Sequence, residues 1–254
     1  MLTRREERLL RTLRQRRARE AEGLFVAEGL RAVEDLVASS LALHFAVAAS
    51  TVEDNERGRA LLDILRRRGV TVHEVGGGAL RDFADTDTPQ GLLVVAEIPK
   101  RGLESIVADR DPTVVLVLDA VKDPGNFGSL VRTAEALGAA GVVALPGTVD
   151  AWNPKVVRGA MGSSFRLPVV EADWAALAPW LREHRITPAA AVVGAPPLDA
   201  PLPRAALVLG NEGAGVSAET LQHARLHVGI PLRGRAESLN VAAAGAILLH
   251  EVLR

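Results

Sequence analysis

The sequence predicts a parallel α/β protein in two parts. Short runs rich in Val, Leu and Ala alternate with longer helix-like stretches, the pattern of strands joined by helical crossovers. A break rich in Pro and charge near residues 99–112 splits this alternation into two series. Apolar residues make up 48% of the 254 positions, enough for a core in each part.

In the first series, strands are expected at 24–27, 43–48, 70–75 and 92–98, with helices at 30–38 and 57–68. Glu28-Gly29 opens the first of these helices, whose Val33 and Leu36 face inward. The apolar run 92–98 ends in Pro-Lys-Arg-Gly, and Asp111-Pro112 follows shortly after. This predicts one domain over 1–107 and another over 108–254. In the second series, strands are expected at 114–118, 141–145, 190–193, 206–209 and 227–230, and helices at 126–137, 153–161, 174–184 and 238–253. Leu130, Ala134 and Leu137 follow helical spacing and form one buried stripe. Arg132 then lies about 200° around the helix from Leu130 and points away from the sheet. The last helix is apolar on every face from Val241 to Leu249, which places it inside the core or in a subunit interface.

Composition excludes several classes of protein. The chain has no cysteine, so it has no disulfide, thiolate metal site or cysteine nucleophile. It has no apolar run long enough to span a bilayer, and its opening is too charged for a secretory signal. A cytoplasmic protein with no membrane contact is expected. The net charge is only −1, yet residues 1–19 carry eight Arg and two Glu, a local charge of +6. Such a segment is either a solvated helix or an arm that tracks nucleic-acid phosphates through Arg14, Arg16, Arg17 and Arg19. With no Tyr and few aromatics, base stacking on an aromatic platform is not expected.

Three segments carry the chemistry. Asp119-Ala120-Val121-Lys122-Asp123-Pro124-Gly125-Asn126-Phe127-Gly128 leads from a strand into the helix that bears Arg132. Loops at the C-terminal ends of parallel strands are where α/β proteins bind ligands. Leu209-Gly210-Asn211-Glu212-Gly213 follows another strand, and its glycines permit close backbone approach. Ile230-Pro231-Leu232-Arg233-Gly234-Arg235-Ala236-Glu237-Ser238-Leu239-Asn240 opens the last helix, where Ser238 and Asn240 are natural caps and free N–H groups suit a polar or anionic ligand.

These three segments, in this order over residues 112–254, resemble the signature motifs of the SpoU-type (TrmH-like) RNA 2′-O-ribose methyltransferases of the SPOUT superfamily. The resemblance implies a parallel sheet with helices on both faces, a deep trefoil knot, S-adenosylmethionine as methyl donor, and a homodimer packed near the last helix. It further implies a ribosomal-protein-like first domain that binds the substrate RNA, which favours ribosomal RNA over transfer RNA. Asn126, Arg132, Glu212, Ser238 and Asn240 are then the catalytic set. The donor is expected near Gly194, Ala195, Leu209, Gly210, Gly213, Ile230 and Leu239. Lys155 and Arg158 match the family as phosphate-binding candidates, or else are simply solvated.

No metal is needed for this reaction, and the six histidines are scattered outside the motifs. Arginine stays protonated in proteins, so Arg132 fits an electrostatic role better than that of a base, whose identity stays open. Glu212 could orient Arg132, Asn126 or a ribose hydroxyl. Rival readings are a tRNA-directed enzyme, a catalytically silent ribosome-assembly factor and a Rossmann oxidoreductase. The last lacks its G-x-G-x-x-G fingerprint.

Overall fold

A computed structural model describes residues 2–108 and 111–254; Asp109 and Arg110, within the expected inter-domain break, lie outside it. The chain forms two compact units, residues 1–100 with 152–165, and residues 101–151 with 166–254. The expected boundary at 107/108 did not foresee that Trp152–Phe165 packs with the first unit.

The strands are β1 (Leu24–Glu28), β2 (Leu43–Ala49), β3 (Thr71–Val75), β4 (Leu92–Glu97), β5 (Thr113–Leu118), β6 (Gly141–Ala144), β7 (Val169–Glu171), β8 (Thr187–Ala191), β9 (Arg204–Leu209) and β10 (Leu226–Val228). The helices are α1 (Arg4–Thr12), α2 (Arg16–Glu22), α3 (Leu30–Ala38), α4 (Glu56–Arg67), α5 (Gly77–Arg81), α6 (Pro124–Ala136), α7 (Pro154–Ala160), α8 (Ser163–Arg166), α9 (Trp174–Glu183), α10 (Ala218–His223) and α11 (Val241–Leu253).

The first unit holds a four-stranded sheet in the order β1-β4-β2-β3. It is mixed, because β4 inserts between β1 and β2 and runs antiparallel to both, while β2 and β3 are parallel. The basic N-terminal segment is not a free arm. A capping box, with Thr3 and Glu6 bonding reciprocally, starts α1. Leu10 and Leu13 are then buried against Phe45, Val47, Leu93 and Val95. Arg19 is 2% exposed and donates to the Leu13 carbonyl at 2.7 Å. Its expected role as a phosphate contact is therefore wrong: it closes the turn between α1 and α2. On the other side of the unit, Phe25 packs against Trp152 and Phe165 in tilted ring contacts, with centroids at 4.6 and 5.8 Å. Those ring contacts hold the 152–165 segment to β1.

The second unit holds a six-stranded sheet, β10-β8-β9-β5-β6-β7, in which every pair is parallel. Side chains alternate across it. Val115, Val117, Ala206 and Val208 face α9 through Trp174, Leu177 and Leu181. The opposite face is covered by α6 and α11, where Gly245 sits over Leu130 and Leu209. In α11, Gly245, Leu248, Leu249 and Val252 are buried, whereas Ile247 is 42% exposed and Ala243 lies open. The helix is thus buried on one side only. Burying Leu248 and Leu249 contributes roughly 1.5–3 kcal/mol each.

Strand β8 runs from Thr187 to Ala191 and not over the expected 190–193, because pairing with β9 from Thr187 and Ala205 onward overrides the proline and the low β-propensity of Pro188-Ala189. Pro188 is tolerated because its missing donor falls just ahead of the pairing with β10, which begins at Leu226 and Ala189. Its carbonyl still accepts the Arg225 N–H at 2.9 Å. Strand β10 likewise ends at Val228, not at residue 230. Gly229 follows, where a Cβ would come within 2.2 Å of the Ala195 carbonyl oxygen.

Candidate active site

Three loops meet at the C-terminal ends of β5, β9 and β10. The first, after β5, turns through Ala120 in the left-handed region (φ 56°). Asp123 then caps α6, its carboxylate accepting the Asn126 N–H at 2.8 Å, and Pro124 fits the first helical turn. The second loop, after β9, folds back on itself as Asn211 and Gly215 exchange backbone hydrogen bonds at 2.9 Å. The Asn211 side chain accepts the Gly213 and Ala214 N–H groups at 3.0 Å and donates to the Ala120 carbonyl at 2.9 Å, tying the two loops together. Gly210 must be glycine, since a Cβ would sit 2.1 Å from the Gly215 carbonyl carbon.

Asp119 adds a second tie. It is 5% exposed and accepts the Ser217 N–H at 2.6 Å and the Thr220 hydroxyl at 2.7 Å. Thr220 in turn accepts the Trp174 indole N–H at 3.1 Å. The end of β5 thus anchors both ends of the second loop.

At the junction stands Glu212. Its carboxylate accepts the Lys122 N–H at 3.1 Å, the Asp123 N–H at 3.0 Å and the Asn126 amide at 3.0 Å. Partial burial pushes its pKa up. The hydrogen bonds from Asn126 and from the backbone of Asp123, Glu212 and Lys122 outweigh that and hold it below the ordinary carboxylate value. Asn126 Oδ1 then accepts from Asn240 Nδ2 at 3.0 Å. Asn240 Oδ1 caps α11, accepting the Ala242 and Ala243 N–H groups at 2.9 and 3.3 Å. Both ends fix the amide orientations: the carboxylate takes only donors, and the helix end needs an acceptor. The three motif residues form one directed chain from α11 through α6 to Glu212.

Beside this chain opens a cleft of about 200 Å³. Backbone at Leu209–Gly210 and Val228–Ile230 lines it, with Leu232, Leu239 and Leu248 as apolar wall. Among the expected donor-binding residues, Leu209, Gly210, Gly213, Ile230 and Leu239 line this cleft, as does Ser238. Gly194 and Ala195 do not; Ala191, Val192 and Val193 form that part of the wall instead, and Ala195 packs its backbone against Gly229. Asn126, Glu212 and Asn240 are brought together, whereas Arg132 stands on the exposed face of α6, outside the cleft lining.

Several expected RNA contacts have other partners. Arg14 donates to the Asp82 and Ala84 carbonyls. Arg16 pairs with Glu20 at 2.6 Å. Arg158 bonds Asp85 at 2.7 Å and lies 3.7 Å from the buried Glu28, so it is neither merely solvated nor an open phosphate contact. Arg17 and Lys155 are exposed. Asp119 and Asn211 lie inside the motif segments, but residue-type reasoning did not single them out. Only the folding of the loops reveals their role.

Residues 113–250 match the SpoU rRNA Methylase family, and residues 8–94 match the MRM3-like substrate binding domain. The chain is 36% identical over 243 residues to a 23S rRNA (guanosine(2553)-2′-O)-methyltransferase of Bacillus subtilis, covering 94% of this chain and 92% of that one. It is 33% identical over 214 residues to a 23S rRNA (guanosine-2′-O-)-methyltransferase of Ralstonia nicotianae, covering 80% and 85% of the two chains. Among solved structures it resembles the SpoU methyltransferase AviRb of Streptomyces viridochromogenes in complex with AdoMet (TM-score 0.86, 26% identity, 99% and 97% coverage). An AdoMet-bound rRNA methyltransferase of Sinorhizobium meliloti is equally similar (TM-score 0.86, 30% identity, 99% and 95% coverage). With its parallel sheet and its three joined motif loops, this chain belongs to the SpoU rRNA methylase family, the SpoU-type RNA 2′-O-ribose methyltransferases of the SPOUT superfamily.

Proposed function

We propose that this protein methylates a ribose 2′-OH of ribosomal RNA, with S-adenosylmethionine as the donor. The observation that carries this reading is the directed chain Asn240–Asn126–Glu212 at the lip of the cleft. It joins the three motif loops and leaves an ionised carboxylate beside a cavity of mixed polar backbone and apolar wall. That cleft fits the donor: strand-end N–H and C=O groups suit a purine and ribose, the leucines suit the purine face, and Glu212 complements a cationic sulfonium. When bound, S-adenosylmethionine supplies an electrophilic methyl group.

The residues of the chain do the rest. Asn126 and Asn240 hold the lip in one arrangement, so the ribose hydroxyl meets the cleft in a fixed pose. Positioning of this kind can contribute about 7–11 kcal/mol. Arg132, on the exposed face of α6, stabilises the developing alkoxide or aligns a backbone phosphate. Ser238 contacts the RNA or the donor from the cleft wall. The first unit supplies RNA recognition, with Arg17 and Lys155 as its exposed cations. The exposed side of α11, through Ala243 and Ile247, forms a homodimer contact. The trefoil knot is carried over from the family match. Among the described residues no helix is long and apolar enough to cross a membrane, and a cytoplasmic setting matches a ribosomal substrate.

The test is the product. Ribosomal RNA treated with the protein and S-adenosylmethionine should gain one alkali-resistant phosphodiester, because 2′-O-methylation removes the internal nucleophile. A methyl group on a base would overturn the assignment.

A further inference from the structure

The second unit has another concavity, at the opposite end of β8 from the donor cleft. It has a volume of about 560 Å³ and is lined by Ile186, Thr187 and Pro188, where β8 begins, and by the ends of α9 and α10. The cleft described above meets the other end of the strand, at Ala191. Three arginines line this cavity, Arg182, Arg185 and Arg225, and among the described residues no Asp or Glu does. Elsewhere in this unit, Arg166 and Arg204 are each matched by a carboxylate, Glu135 and Asp111. Among the described residues these three have no carboxylate partner.

One wall is aromatic. His223 stacks on Trp174 with centroids 4.5 Å apart and planes 14° from parallel. Trp174 is buried and held through Thr220 to Asp119, so the stack is fixed. Arginines near helix C-termini complement the helix dipole. That accounts for a cation at each helix end, but not for three around one acid-free cavity beside a braced aromatic pair. Guanidinium groups grouped in this way match phosphate oxygens, and an imidazole fixed on an indole offers a surface for a base.

We infer that the Arg182–Arg185–Arg225 cavity binds a phosphodiester segment of RNA, with His223 on Trp174 as its stacking wall. This rests on the RNA-methylating reading above and adds a contact surface remote from the donor cleft.

The test uses the full chain with Arg182→Gln, Arg185→Gln and Arg225→Gln combined, and a short fluorescein-labelled rRNA transcript. Without donor present, RNA binding should weaken about tenfold at low salt, and the slope of log Kd against log salt should flatten by about 2. The matching Arg→Lys triple should keep the slope. S-adenosylmethionine affinity should be unchanged, and the loss in methyl transfer should fall on KM for RNA rather than on kcat. Should the triple be unstable, Arg185→Gln and Arg225→Gln alone should each weaken binding about twofold. Wild-type RNA affinity and salt slope in folded variants would overturn the proposal. So would a lowered Tm with unchanged RNA binding, which assigns the arginines to helix ends, or protection of the wild type by inorganic tripolyphosphate alone. Because binding is read without donor, failure here is distinguishable from failure of the wild-type protein to methylate RNA.

Discussion

The dipeptide Glu-Gly occurs at the end of a strand in one unit and just beyond a strand in the other, and the two glutamates have opposite fates. Glu28, closing β1, is 7% exposed. It accepts the Asp85 N–H at 2.8 Å and the Thr86 hydroxyl, and Arg158 lies 3.7 Å away. Glu212, just past β9, also accepts backbone N–H groups from a facing loop, but a neutral amide takes the place of the arginine and the group stays open to solvent. A buried carboxylate closed by a cation serves the fold, because its charge is already matched. An exposed carboxylate held ionised by amides keeps charge in reserve for a ligand. The partner that closes the network, more than the residue at its centre, separates structure from function.

The comparison breaks most readily at Glu28. Glu28→Ala orphans the Asp85 N–H and the Thr86 hydroxyl and leaves part of the Arg158 charge unmatched. The first unit should lose about 3 kcal/mol or more, read as a lower urea midpoint. S-adenosylmethionine affinity at the second unit should hold. A stable Glu28→Ala protein that loses only activity would reverse the roles assigned to the two glutamates.

Next in size are changes at the open network. Arg132→Ala and Asn126→Ala should each fold and bind donor, yet lower turnover about a hundredfold, whereas Glu212→Ala should fold, lose turnover to a similar extent and also bind donor more weakly. Asn240→Ala should add a loss of about 1 kcal/mol in stability, because it also removes the α11 cap. Single-turnover assays alongside thermal melts separate these effects. Equal turnover in the purified Arg132→Ala protein would remove it from the catalytic set.

The open network was more legible in the sequence than the closed one. Asn126, Glu212 and Asn240 stand in ordered motifs, so residue type and spacing pointed to them before any geometry was known. Glu28 and Arg158 are 130 positions apart in the chain, and nothing local ties them. The same holds for Phe25 and Trp152, whose ring contact draws the 152–165 segment into the first unit. Local periodicity placed α6, α9 and α11 well, but not the start of β8, where Ala and Pro188 hide a strand held by its neighbours. Arg19 cannot be told from its neighbours by sequence, because the eight arginines of residues 1–19 look alike in charge. Only the packing of Leu10 and Leu13 shows which one is turned inward.

That distinction yields a smaller contrast. Arg19→Ala removes a buried donor from the Leu13 carbonyl and should cost about 1–3 kcal/mol, with RNA affinity lowered only as the domain unfolds. Arg17→Ala, at an exposed position on the same helix, should leave stability within about 0.5 kcal/mol and weaken RNA binding modestly, with a shallower salt slope. Urea titrations and RNA binding at two salt concentrations would expose a swap of these two outcomes.

The smallest expected effect concerns pH. Folding holds the Glu212 pKa below its ordinary value of 4.5. In the acid range the unfolded chain therefore binds the extra proton first, and stability rises with pH. The contribution is fully present above 4.5 and is lost as pH falls through the lower folded value. Because Glu212 is exposed, solvent screening keeps it to about 0.5 kcal/mol or less. Glu212→Gln should thus trail the wild type slightly at neutral pH and converge with it in acid. A gap that widened on acidification would mean that Glu212 is protonated in the folded protein, and the open network would then hold no charge in reserve.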